Sequence, residues 1–174
     1  MLATMPFMFA IQQACEGIQW LYLGAGSSSL AAGYGFLFFA LIAWPIYTPL
    51  FVLVLDRKKR KIMSWFLALG TLVAAYFVVL LATQPLAISE LRSCVSYHFN
   101  FPYSYLTLAA YVVAVLGPLL ASSKRIFNWF GMAVAALALV SLYFYTEVFT
   151  SVWCFFSAAV SSMFFGYVLL KKRG

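Results

Sequence analysis

The chain has 174 residues, of which 66% are hydrophobic, 20% aromatic and only 9% charged, with eleven Lys or Arg against four Asp or Glu and a formal net charge of +7. So little polar surface cannot coat a water-soluble globule, which excludes a soluble domain and points to an integral membrane protein. Nucleic-acid binding is set aside too, because the positive residues fall in three separate segments beside apolar runs rather than on one folded face.

Six apolar runs reach the roughly 17 to 25 residues that a helix needs to cross ~30 Å of hydrocarbon. They cover about 4–24, 31–55, 62–83, 103–121, 126–146 and 150–170. None alternates polar and apolar at every second residue, so a β-barrel is excluded. The expected fold is all-α: one polytopic transmembrane helix bundle over 1–174, with no separate domains and no internal repeat.

The first run contains "FAIQQACEGIQW". It lacks a basic start and carries a carboxyl group, so it reads as a true span and not as a cleaved signal. At about 100° per residue Gln12, Glu16 and Gln19 fall within roughly 60° of one another, with Gln13 and Trp20 beside them. An ionisable group near the centre of a span costs about 3 kcal/mol on insertion scales, so Glu16 is expected to face the bundle interior or a watery cavity. Two readings of the stripe stand open and do not exclude each other. The glutamines bond across helices as glue, or the stripe forms a ligand or proton site.

The second run contains "WPIYTP", in which Pro45 and Pro49 each delete a backbone donor and should kink the helix. Kinks of this kind are tolerated in a membrane where neighbouring helices satisfy the freed carbonyls. The basic loop Arg57, Lys58, Lys59, Arg60 and Lys61 follows. Lys124 and Arg125 follow the fourth run, and Lys171, Lys172 and Arg173 the sixth. Ten of the eleven basic residues thus lie on one side, with only Arg92 opposite. The positive-inside rule places both termini in the cytoplasm, and the inner (plasma) membrane is the expected location. Trp20 and Trp153 fall at the outer ends of spans, and Trp65 and Trp129 at the inner ends, as interface anchors.

The outer segment 84–102 is long for a connection in a compact bundle. It is expected to fold over the outer mouth as a lid or binding loop, bringing His98 towards Glu16 and Glu147. Metal-ligand spacing such as HExxH or paired CxxC is missing, so no metal or other cofactor is implied. Haem, retinal and GxSxG hydrolase chemistry find no matching residues either. Cys94 and Cys154 both lie towards the outside, where a bridge between them would pin the loop to the last helix; the alternative is that Cys15, Cys94 and Cys154 are small apolar fillers. In the sixth run Ala158, Ser162 and Gly166 form a small-residue face for close helix contact, within the bundle or between copies of the chain in a homo-oligomer. Gly117 and Pro118 are expected to end the fourth helix.

"FAIQQACEGIQW", "WPIYTPL" with its basic loop, "GPLLASS" at 117–123 and "SVWCFFSAAVS" at 151–161 together resemble a family of small bacterial integral membrane proteins classed as a domain of unknown function. The resemblance covers most of the chain and implies seven spans, the first two elements being a short Cys-, Ser- and Phe-rich segment and a helix that this chain lacks. It implies no activity. It directs attention to Glu16, Gly17, Trp20, His98, Gly117, Pro118, Trp153 and Cys154.

Three function classes fit these residues. The leading one is a membrane protein that binds or conducts a small solute, ion or proton through a polar pocket built from Gln12, Gln13, Glu16, Gln19, His98, Glu147, Trp153 and Cys154. The second is an enzyme acting on membrane lipid at the outer leaflet, with His98 and a glutamate as acid and base. The third is a structural or receptor-like bundle.

Overall fold

The computed structural model describes residues 4–100, 102 and 104–173. It is built from six helices: α1 (Thr4–Gly24), α2 (Leu30–Leu55), α3 (Arg60–Thr83), α4 (Ser104–Ala121), α5 (Arg125–Phe144) and α6 (Phe149–Arg173). Two short strands, β1 (Ala87–Leu91) and β2 (Cys94–His98), pair as a hairpin in the segment joining α3 to α4. Four helical segments, Leu30–Leu55, Arg57–Thr83, Arg125–Phe144 and Thr146–Leu170, are long and apolar enough to cross a membrane. The α1 helix has the length, at 21 residues, but carries the Gln/Glu stripe, and α4 has 18 residues.

The chain divides into two compact units. One consists of the described residues through Phe36, Ile88–Tyr97 and those from Ala133 onward; here α1 packs on α6. The other consists of Leu37–Ala87 and His98–Met132, with the second half of α2 packing on both α3 and α4, which also pack on each other.

Within the second unit α2 answers the proline question. Its turn Phe38–Ala43 is π-helical, and the Trp44 amide donates to the Phe39 carbonyl, five residues back. In that register the next amide, at position 45, would donate to Ala40, but Pro45 has no N–H. The Tyr111 hydroxyl of α4 donates to the Ala40 carbonyl instead, at 2.5 Å. Pro49 in turn frees the Pro45 carbonyl, which lies where a Cβ of Gly70 would be; the Pro45 carbonyl carbon would be only 2.8 Å from such an atom. Glycine is therefore required at 70 so that α3 can close on α2, and its Cα–H can serve as a weak donor to the freed oxygen.

The α2–α3 and α4–α5 connections of this unit are drawn together by Asp56, which is almost fully buried. Its carboxylate accepts from Ser122 Oγ (2.8 Å), Ser123 N (2.6 Å), Ser123 Oγ (2.7 Å) and Lys58 N (3.2 Å). Burial by itself would raise the Asp56 carboxyl, but these hydrogen bonds, the Ser123 ones foremost, outweigh it and hold the group at about 2. Lys59 Nζ donates to the Ala121 carbonyl at 2.7 Å, and the Asn128 amide donates to the carbonyls of Leu119, Leu120 and Ser122. The carbonyls that α4 leaves unpaired at its end are thereby taken up.

Several expectations are corrected. Gly117 and Pro118 do not end α4, which runs on to Ala121 with Pro118 inside it. Gly117 serves close packing, since a Cβ there would overlap the Phe66 ring, lying 2.8 Å from its Cζ and nearer still to its Cε1. Within the 84–102 segment ten residues form the hairpin, as β-branched and aromatic side chains such as Ile88, Val95 and Tyr97 favour. Trp153 is no interface anchor, being buried with its indole N–H donated to the Val134 carbonyl at 3.2 Å. On α6 the Ala158, Ser162 and Gly166 face is not packed by the chain at Gly166, where an added Cβ would meet nothing within 4 Å.

Candidate functional site

The site lies in the first unit and begins with the stripe on α1. Gln12, Glu16 and Gln19 are all buried, at 0%, 5% and 0% exposure. Their surroundings separate them into two roles. Gln19 Oε1 accepts from the Ser29 amide at 3.2 Å, while Ser29 Oγ caps the start of α2 by accepting from Ala32 N at 3.2 Å. The turn between α1 and α2, closed by Gly26 at φ +73, is thus locked to the C-terminal end of the stripe. Gln12 hydrogen-bonds the buried Cys154 thiol of α6.

Glu16 differs because it opens onto a cleft of about 390 Å³. Ser151 Oγ of α6 donates to Glu16 Oε1. Gln13 lies alongside the carboxylate, with its amide nitrogen buried and lacking a well-formed hydrogen bond. The rest of the cleft is formed by Gly17 and Trp20 of α1, Ser93 and Cys94 of the hairpin, Tyr145 after α5, and Val152, Phe155 and Phe156 of α6.

The hairpin reaches the cleft through a two-residue turn, Arg92 and Ser93, at φ 51 and 56. Positive φ at both positions is the type I′ geometry that suits the twist of paired strands, usually made by Asn-Gly, and each non-glycine residue there costs about 1 kcal/mol. Two contacts tie the hairpin to the turn before α6: an exposed ion pair between Arg92 Nη2 and Glu147 Oε2 at 3.8 Å, and Ser96 Oγ donating to the Glu147 carbonyl at 3.4 Å. The Tyr97 ring stacks on Phe36 at 4.9 Å, with its hydroxyl buried and unbonded. Burial pushes both the Cys94 thiol and the Tyr97 hydroxyl up, and the Glu16 carboxylate pushes them further in the same direction.

Of the residues singled out in the sequence, Gln13 and Glu16 line the cleft, together with Gly17 and Trp20. Gln12, Gln19, Trp153 and Cys154 lie in the packed interior. Glu147 is exposed and engaged with Arg92. His98 is exposed and does not line the cleft, because four residues of extended strand carry it ~13 Å along from Cys94. All three cysteines are free thiols, so the Cys94 to Cys154 bridge is not formed. Sequence reasoning missed Ser151, Ser93 and Asp56. Only Asp56 carried a local signal, as an isolated acid between an apolar run and five basic residues.

The fold and cleft define a helical protein with segments suited to a membrane and a carboxylate-based pocket among them. The chain belongs to a family of unknown function, DUF6629, whose model matches residues 1–174. No curated protein and no solved structure matches it.

Proposed function

We propose that this chain is a multi-pass protein of the inner membrane, with six spans and both termini in the cytoplasm, that binds or conducts a small solute, ion or proton through the cleft around Glu16. Ten of eleven basic residues on the α2–α3 and α4–α5 connections and the C-terminus support the orientation. The observation that carries the function is Glu16 itself. A carboxyl group that served only to join helices would be enclosed by donors, whereas this one has Ser151 as its donor, Gln13 alongside, and a cleft of about 390 Å³ before it. A buried ionisable group in a span marks a pathway or ligand site more often than a strut. The alternative of a lipid enzyme, with His98 and Glu147 or Glu16 as acid and base, draws no support from this cleft, which His98 does not line.

The test is an infrared pH titration of the carboxyl band in purified protein in lipid, with Glu16→Gln as the subtraction. A band that follows bulk pH and vanishes in the variant is expected. A Glu16 carboxyl indifferent to pH from 4 to 10 would mean a dry strut and would refute the reading.

A further inference from the structure

We propose that the Glu16 cleft takes a small organic cation, with an alkylammonium or quaternary ammonium group seated between the Glu16 carboxylate and the surrounding aromatic rings. This deepens the proposed function and rests on the cleft being a binding site. Two features together point to that chemistry. The carboxylate is nearly fully buried, so an uncompensated negative charge there is costly and a cation opposite it would be favoured. Four of the eleven residues lining the cleft are aromatic, Trp20, Tyr145, Phe155 and Phe156. Ring faces attract cations, most strongly where water is excluded, and an aromatic cage with an acid at its base suits an ammonium group.

Other ligand classes fit less well. An anion would meet the negative field of the Glu16 carboxylate, which adds to burial in pushing up Cys94 and Tyr97. A neutral solute would fit only the protonated carboxyl. A divalent metal wants several hard or soft donors, and among the described residues no three His, Cys, Asp or Glu side chains gather. No Lys or Arg is among the residues lining the cleft, and the guanidinium nearest in sequence, on Arg92, is drawn to Glu147. The volume lies at the lower end of the ~300–1,000 Å³ usual for ligand pockets, which favours a compact cation over a long-chain one.

The experiment is calorimetric titration of the full chain in lipid nanodiscs with choline, with its neutral isostere 3,3-dimethylbutan-1-ol, and with sodium chloride. The expected result is saturable choline binding, weakened at least tenfold in Glu16→Gln and roughly fivefold in Phe155→Leu, with the isostere not binding. Phe155 is 58% exposed, so its variant keeps the fold and separates lost binding from lost structure. Equal binding of the isostere, or choline binding unchanged in both variants, overturns the proposal. If sodium or protons bind at Glu16 while choline does not, the organic-cation class falls and the reading of the cleft as a site stands. If no cation binds and the Glu16 band ignores pH, both fall together.

Discussion

Replacing Tyr111 by Phe tests whether the tyrosine hydroxyl stands in for the amide that Pro45 lacks. The change removes one oxygen and keeps the ring, including its edge-on contact with Phe77 at 6.3 Å. The Ala40 carbonyl would be left without the 2.5 Å donor in a fully buried position. A buried acceptor stripped of its partner costs about 1 to 3 kcal/mol, and with the π-turn able to relax slightly the loss should be about 1.5 kcal/mol. The assay is reversible unfolding in mixed micelles by added denaturing detergent, followed by tryptophan fluorescence. The decisive comparison is a double-mutant cycle with Pro45→Ala, which restores an N–H able to reach Ala40. In that background Tyr111→Phe should cost only a few tenths of a kcal/mol, giving a coupling energy of about 1 kcal/mol. If Tyr111→Phe costs the same in both backgrounds, the hydroxyl is not replacing the proline's missing donor and the account of the α2 kink is wrong.

Gly70→Ala should be among the most damaging single changes in the chain, because its Cβ would be driven into the backbone carbonyl of Pro45, which no side-chain rotation can relieve. A loss of about 3 kcal/mol or failure to accumulate is expected from forced separation of α2 and α3, whereas Gly166→Ala, with open space around it, should leave melting unchanged. Asp56 sets an acid limit. Its folded carboxyl sits at about 2, below the ordinary 3.8, so its contribution is complete above about pH 4 and is lost as the pH falls towards 2. Asp56→Asn should cost about 2 kcal/mol at neutral pH, and unfolding midpoints between pH 4 and 2 should fall less steeply in the variant than in the native chain.

Hydropathy alone determines a great deal here. Runs of twenty apolar residues have one stable arrangement in lipid, the helix, because every backbone N–H and C=O must be satisfied within the segment. The six helices and the burial of the Gln12, Glu16 and Gln19 stripe were therefore legible residue by residue. The hairpin was not, since a gap between helices says how long a connection is and nothing of how its strands pair. Nor could the stripe be apportioned. The three side chains share a face, yet Gln19 meets the Ser29 amide, Gln12 meets Cys154, and Glu16 alone meets a cleft. Ser151 is 135 residues from Glu16, and Ser122 is 66 from Asp56. Helical periodicity determines which way a side chain points along its own axis; what it finds there depends on which helices come to lie against it, and only packing in three dimensions decides that.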